Sequence, residues 1–148
     1  MAITKQKRSN IIAIKFSNIN LEVLDLSTNA TPDIFINQNG ITFSKRVLED
    51  LNYPQNVQYC TAPANKVFAI RVCKSNEAKS VSFSKPRAEQ TNTLGCNNKN
   101  LHDVISALIP DYQPKKRYKV TGELDAENRV VYYDMTTAEV SEFRAVKD

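Results

Sequence analysis

Two short β-forming runs on either side of an Asn-Gly pair constrain the fold of this chain more than any other feature. Residues 33–37 place Ile34, Phe35 and Ile36 together, and residues 41–43 form the second run. β-Branched and aromatic side chains favour strands. Asn-Gly favours a two-residue turn, because both residues tolerate a positive φ. The pattern predicts a β-hairpin with Asn39-Gly40 as its turn.

The same organisation recurs elsewhere in the chain. Strand-like runs flank turn residues at 18–20, at 63–65 and at 125–128. We therefore predict three further hairpins, formed by residues 11–16 with 21–26, 57–62 with 66–73, and 117–124 with 129–135. Residues 80–84 predict an isolated short strand.

A short helix is predicted directly after the first hairpin, over residues 45–52. Its apolar face carries Val47, Leu48 and Leu51. Ser44 has the side-chain oxygen that an N-cap uses to accept a backbone hydrogen bond. Residues 52–54 (Asn-Tyr-Pro) are expected to end the helix, because proline disfavours helical backbone before it.

A second helix is predicted over residues 100–109, with Asn100 as N-cap and Pro110 at its end. Apolar side chains recur there at helical spacing, at Leu101, Val104, Ile105 and Leu108. Thr136 with Glu139 three residues later matches a capping box. This match predicts a last short helix near the C-terminus, with Val140 and Phe143 on one face.

These elements predict an α+β protein built mostly from antiparallel β-hairpins with two to three short helices. A helix followed by a hairpin occurs at residues 44–73 and again at 100–135, which predicts a tandem repeat, with chance recurrence as the alternative. Residues 1–73 form the expected N-terminal unit and residues 100–148 the second unit. Residues 74–99 are rich in Ser, Asn, Thr and Lys, which is typical of a linker or mobile loop.

Charge is distributed unevenly along the chain. The net charge is +4, but residues 40–120 hold 13 basic and 6 acidic side chains, whereas residues 121–148 hold 3 and 7. A basic region is what a polyphosphate partner requires, because each neutralised phosphate releases counterions. The alternative is a solvated basic surface that the acidic C-terminal segment partly balances.

The sequence of residues 39–57, NGITFSKRVLEDLNYPQNV, resembles the half-motif of AbrB-like DNA-binding domains. In that family a strand with a glycine turn leads through a basic phrase into a short helix and then a hairpin. The resemblance covers residues 37–72, and two such units in one chain would be similar to MraZ-like proteins. It implies that Lys45 and Arg46 contact phosphates at the helix start, and that Lys15, Lys66 and Arg71 extend this face.

The candidate nucleic-acid-binding residues are the basic side chains of the middle of the chain. They are Lys45, Arg46, Lys85, Arg87, Lys115, Lys116, Arg117 and Lys119. Alternation along residues 117–124 places Tyr118, Val120 and Leu124 on a core face, and Arg117, Lys119 and Thr121 on the opposite face. The basic side chains are therefore expected to stand alone at the surface, without aromatic neighbours.

Residue types that carry catalysis are scarce. The one histidine, His102, is adjacent to Asp103, and neighbours on a helix point about 100° apart, so we expect a surface histidine and no enzyme activity. The chain has three cysteines without a Cys-x-x-Cys pair and three isolated glycines, which predict neither a metal site nor a phosphate-binding loop. The carboxylates Glu123, Asp125 and Glu127 cluster at a predicted turn, where such side chains are usually solvated. We expect no cofactor.

Two functions fit these observations. The first is a small non-enzymatic nucleic-acid-binding regulator of bacterial transcription, a homodimer that contacts the phosphate backbone, with DNA favoured over RNA. The second is a protein-interaction module or inhibitor, encoded by a mobile element, that binds a bacterial nuclease or defence complex. The longest apolar run, residues 11–14, is too short for a membrane span or a signal-peptide core. These features predict a cytoplasmic protein without a membrane partner.

Overall fold

A computed structural model describes residues 16–24 and 30–142 of the chain. Two α-helices and ten β-strands are present within these residues. In chain order they are β1 (Asp33–Asn37), β2 (Gly40–Phe43), α1 (Lys45–Asp50), β3 (Asn56–Ala62), β4 (Val67–Val72), β5 (Val81–Ser82), β6 (Leu94–Cys96), α2 (Lys99–Leu108), β7 (Lys116–Thr121), β8 (Glu123–Asp125), β9 (Val130–Asp134) and β10 (Glu139–Glu142).

The strands form two five-stranded antiparallel sheets. The first sheet has the order β10-β7-β1-β2-β6, and the second has the order β5-β3-β4-β9-β8. The predicted α+β class, with antiparallel strands and short helices, is confirmed. None of the helices in the described part of the chain is long and apolar enough to cross a membrane.

A core of buried side chains lies between the two sheets. Phe43 of the first sheet stacks on Tyr59 of the second, with ring centroids 6.2 Å apart. The stack continues from Tyr59 to Phe68 at 5.8 Å and from Phe68 to Tyr133 at 6.0 Å. Both helices add apolar side chains to this core, which are Val47, Leu48, Ile105 and Leu108. The side chains on the inner faces of both sheets are therefore packed in the core, and each sheet turns its other face away from it.

The first hairpin is confirmed, but its turn lies one residue earlier than predicted. Asn37 pairs with Gly40, so Gln38 and Asn39 are the turn residues. The Asn37 side chain accepts a hydrogen bond from the Asn39 backbone N–H at 2.7 Å, which closes the turn before the glycine. Gly40 has a φ of +145°, and a Cβ there would lie 2.7 Å from the carbonyl oxygen of Cys96.

The β3–β4 hairpin is confirmed, whereas the hairpin predicted from residues 117–124 is wrong in its first strand. That run divides at Gly122: β7 pairs with β1 and β10 in the first sheet, and β8 pairs with β9 in the second. A Cβ on Gly122 would lie 2.6 Å from side-chain atoms of both Tyr133 and Val131. Glycine therefore lets the chain pass closely over β9 as it changes sheets. The strands after α2 thus differ from the simple hairpin after α1.

The helix caps differ in detail from the prediction. Ser44 occupies the N-cap position of α1 without a side-chain capping bond, and its hydroxyl donates instead to the Thr31 carbonyl at 3.4 Å. The predicted cap of the second helix, Asn100, lies inside α2. Asn98 is the N-cap, and its side chain accepts from the Leu101 backbone N–H at 3.1 Å. Each helix keeps the predicted apolar face, although Val104 is 45% exposed.

The predicted C-terminal helix is wrong, because residues 139–142 form strand β10. Asp134 accepts hydrogen bonds from both the backbone N–H and the hydroxyl of Thr136. Thr136, the predicted capping residue, therefore lies in a 3-10 turn instead. Glu139 then pairs with Lys119 of β7. Phe143 lies outside the described residues.

The predicted N-terminal hairpin falls partly outside the described residues, at 11–15 and 25–26. Residues 16–18 form a 3-10 turn and residues 19–24 form no strand. Within residues 74–99, the predicted strand is confirmed as β5, which extends the second sheet. The same segment also supplies β6 to the first sheet.

One buried group leads to a testable effect on stability. The Tyr133 hydroxyl is buried and has no hydrogen-bond partner among the described residues. Burial raises the pKa of Tyr133 well above its ordinary value, and the nearby charges of Asp33 and Asp50 raise it further. A buried unpaired hydroxyl costs about 1–3 kcal/mol.

We expect Tyr133→Phe to raise the free energy of unfolding by about 1 kcal/mol at pH 7. A tyrosine whose folded-state pKa exceeds its unfolded value of about 10 destabilises the fold as the pH rises above 10. The variant should therefore lose less stability than the native protein at pH above 10. Urea unfolding at pH 7 and at a pH above 10 measures the free energy of unfolding of each protein. Tyr132→Phe, which alters an exposed ring, is the control. Equal behaviour of the two variants would contradict the expectation.

Candidate nucleic-acid interface

The predicted basic residues lie at three separate places on the surface. Lys45 and Arg46 begin α1, beside the Asp33 end of β1, because the Ser44 backbone N–H donates to the Asp33 carbonyl. Arg117 lies near the other end of β1, since its neighbour Tyr118 pairs with Ile36. At about 3.4 Å per residue, the two ends of β1 are about 14 Å apart. The third place holds Lys85 and Arg87, in the segment after β5.

Arg46 at the start of α1 is engaged by its own surroundings. Its Nε lies 2.6 Å from an Asp50 carboxylate oxygen, and its Nη1 donates to the Ala30 carbonyl at 3.4 Å. The side chain thus ties α1 to the segment before β1. Lys45 is exposed.

The outer face of the first sheet is the surface turned away from the core. A row of paired residues crosses it, in the order Glu139, Lys119, Phe35, Thr42 and Gly95. Phe35 lies on the central strand β1, between Lys119 and Thr42, and is half-buried. Arg117 and Thr121 of β7 share this face, as the alternation predicted.

The basic side chains of β7 do not stand alone, which corrects the prediction. The Arg117 guanidinium lies over the Phe35 ring, with its central carbon 4.5 Å from the ring centroid. Lys119 is directly opposite Phe35 in the β1–β7 ladder. The aromatic partner comes from a strand that is more than 80 residues away in the chain, so a local pattern could not reveal it. Tyr118 and Val120 are buried as predicted, whereas Leu124 is 39% exposed because it belongs to the other sheet.

Carboxylates of β10 partly balance the charge of β7. Lys119 Nζ lies 3.7 Å from a Glu139 carboxylate oxygen, and Lys116 pairs with Glu142. Exposed ion pairs of this kind contribute at most about 1 kcal/mol each, so a phosphate can compete for the same lysines. Lys115 and Arg117 form no ion pair with a carboxylate in the described part of the chain.

The residues that the family resemblance adds do not join this face. Arg71 lies on the second sheet, where its guanidinium donates to the Gln58 side chain at 2.9 and 3.1 Å. Lys66 is exposed in the turn between β3 and β4, with a φ of +58°. Lys15 lies outside the described residues.

The third basic place is a cleft next to the end of α1. The Arg87 guanidinium lies 5.0 Å from the centroid of the Tyr53 ring, and Lys85 borders the same cleft. Sequence analysis identified the two cations but not the tyrosine beneath Arg87.

His102 is not a free surface histidine, which corrects the prediction. It is half-buried, and its Nε2 lies 2.7 Å from the Asn37 carbonyl oxygen. Tyr112 packs edge-on against the imidazole, with ring centroids 6.2 Å apart. Burial raises the pKa of the Tyr112 hydroxyl, and the neighbouring Tyr118 raises it further. The histidine therefore holds α2 to the first hairpin.

The three cysteines and the carboxylates at residues 123–127 do not form a site together. Cys60, Cys73 and Cys96 are free thiols, and no group of three metal-ligating side chains occurs in the described ranges. Asp125 accepts hydrogen bonds from the backbone and the side-chain amide of Asn128, which is a turn-forming role. Glu123 and Glu127 are exposed.

No protein-family model, curated protein or solved structure matches this chain. The resemblance of residues 39–57 to AbrB-like domains therefore stays a prediction, and the arguments about function rest on the geometry of the described residues.

Proposed function

We propose that this protein is a non-enzymatic nucleic-acid-binding regulator that holds single-stranded nucleic acid on the outer face of its first sheet. The observation that carries the proposal is the Arg117 guanidinium over the half-buried Phe35 ring, beside Lys119, on the outer face of the sheet. Single-strand-binding proteins combine aromatic rings, on which bases stack, with cations that follow the phosphates. Duplex DNA, which the AbrB-like resemblance implies, is the competing ligand.

The face supplies cations for phosphates and planar groups for bases, and Arg117 belongs to both sets. Lys115, Arg117 and Lys119 are spaced along one strand and its lead-in, so they can neutralise successive phosphates. Each neutralised phosphate of a single strand makes the logarithm of the affinity fall by about 0.7 per tenfold increase in salt. Phe35 and the Arg117 guanidinium offer surfaces on which a base can stack. This combination predicts affinity with little sequence preference.

We expect fluorescence anisotropy to show a labelled 12-nucleotide single strand binding at least tenfold tighter than the matching duplex. The double variant Arg117→Gln/Lys119→Gln should lose at least tenfold of this affinity and have a shallower salt dependence, because about two phosphate contacts are lost. Glu139→Gln should bind more tightly than the native protein, since it releases Lys119 from its carboxylate partner.

The matched control is Lys66→Gln/Lys74→Gln, which removes the same charge from exposed positions outside the first sheet. It should retain nearly native affinity. Equal losses in the two double variants would mean that net charge alone attracts the strand, and tighter binding of the duplex would favour the AbrB-like alternative.

A protein-interaction module is a second candidate, because residues 21–24 expose large apolar side chains. Leu21, Val23 and Leu24 are 89%, 97% and 79% exposed. Such side chains are typical of a segment that a protein partner covers. If this function holds, Leu21→Ser/Val23→Ser should abolish co-purification of a nucleic-acid-handling complex from the native host and leave single-strand binding unchanged. Unchanged co-purification would contradict it.

A further inference from the structure

A cleft of about 520 Å³ lies between the end of α1 and the segment after β5, away from the outer face of the first sheet. Its main lining residues are Asn52, Tyr53, Gln55, Ser84, Lys85 and Arg87. Small-molecule sites in proteins span about 300–1,000 Å³. The cleft therefore has room for one small ligand.

Backbone hydrogen bonds fix the wall that carries Tyr53. The Asn52 N–H donates to the Glu49 carbonyl at 3.0 Å and the Tyr53 N–H to the Leu48 carbonyl at 2.8 Å, which is the pairing that closes a helix in a Schellman motif. Asn52 and Tyr53 have φ angles of +60° and +50°. A positive φ is rare for a bulky residue, so the ring is held at this position by the helix end.

The opposite wall is attached to the first at the base of the cleft. The buried Ser84 hydroxyl donates to the Pro54 carbonyl at 2.6 Å, and the Ser84 backbone N–H donates to the same oxygen at 3.0 Å. Beyond Ser84, the Lys85 N–H donates to the Gln90 side chain at 2.8 Å. Both walls are thus built before a ligand arrives, which lowers the entropic cost of binding.

The cleft is positively charged. Lys85 and Arg87 are exposed, and neither forms an ion pair with a carboxylate in residues 16–24 or 30–142. No carboxylate is among the residues that line the cleft. The Arg87 guanidinium also covers the Tyr53 ring, so two cations and a planar stacking surface share one small space.

We infer that this cleft binds a nucleoside monophosphate, either free or as the 5′-phosphorylated end of a strand. The base stacks on the Tyr53–Arg87 pair, as bases stack on aromatic rings and guanidinium planes in nucleic-acid complexes. The phosphate lies between Lys85 and Arg87, whose two positive charges match its two negative charges. Asn52 and Gln55 line the same cleft, and their side-chain amides supply hydrogen-bond donors and acceptors for the polar edge of the base.

Equilibrium dialysis of the native protein against AMP, adenosine and inorganic phosphate tests this inference. AMP should bind at least tenfold tighter than adenosine and at least tenfold tighter than phosphate, because the site needs both the ring and the charge. Lys85→Gln and Arg87→Gln should each weaken AMP binding at least fivefold. Lys66→Gln, which removes a lysine at the far end of the β3–β4 hairpin, should leave it unchanged.

Ring variants keep the inference testable if a charge variant unfolds. Tyr53→Phe should bind AMP with nearly native affinity, whereas Tyr53→Asn, which suits the positive φ but has no ring, should lose at least fivefold. Tighter binding of a 5′-phosphorylated dinucleotide than of AMP would assign the ligand to a strand end, and equal affinity would assign it to the free nucleotide. Phosphate binding as tight as AMP binding, or native AMP affinity in Arg87→Gln, would overturn the inference. Phe35→Ala should not affect AMP binding, which separates this site from the proposed sheet-face function.

Discussion

Phe43→Ala is expected to lower the free energy of unfolding by about 3–5 kcal/mol, the usual cost of emptying a buried aromatic site. Phe43 is fully buried. Its ring stacks on Tyr59 and meets Phe83 edge-on, with centroids 5.3 Å apart, so its loss leaves a cavity where the two sheets meet. Urea unfolding followed by circular dichroism measures the change.

A loss of this size is a large part of the total free energy of unfolding of a domain of this length. Phe43→Leu, which keeps an apolar side chain of smaller volume, should lose less than Phe43→Ala. If Phe43→Ala lost under about 1 kcal/mol, the two sheets could not share the core described above.

Phe35→Ala is expected to have the opposite profile, with weaker binding and little change in stability. One base stacked on an aromatic ring is worth about 1–3 kcal/mol, which corresponds to about a 5-fold to 150-fold loss of affinity for a single strand. Phe35 and Phe43 lie on the same hairpin, but Phe35 pairs with Thr42 on the outer face, whereas Phe43 pairs with Ile34 on the core side. Fluorescence anisotropy and urea unfolding of the same preparation measure both effects.

Phe35→Tyr is the matched control, because it keeps a ring on the outer face. It should bind the single strand with nearly native affinity. If Phe35→Ala unfolds the protein while Phe43→Ala does not, the assignment of the two faces is wrong. If Phe35→Ala binds as tightly as the native protein, bases do not stack on this ring.

Local patterns predicted the elements that depend on neighbouring residues. The apolar face of α1 and the strand at residues 33–37 follow from spacing within a few positions. The Asn-Gly turn shifted by one residue because the Asn37 side chain closes the turn first. Strand propensity does not show which of several neighbouring polar residues will close the turn.

Pairing between distant strands could not be predicted in the same way. The contact of Arg117 with Phe35 depends on the register of β1 against β7, and the change of sheet at Gly122 depends on the closeness of β9. The capping-box match at residues 136–139 failed because Asp134 holds Thr136 and because β7 offers an edge with which β10 can pair. Basic residues were recognisable by type, but their aromatic partners Phe35 and Tyr53 were not.

The most direct test of the proposed interface is an NMR titration of ¹⁵N-labelled protein with a 12-nucleotide single strand at low salt. The largest amide shifts should fall on the outer face of the first sheet, around residues 35, 42, 95, 117 and 119, and should diminish at higher salt. Amide shifts concentrated on the second sheet would contradict the claim that this face binds nucleic acid. The absence of amide shifts at a millimolar concentration of the strand would contradict it as well.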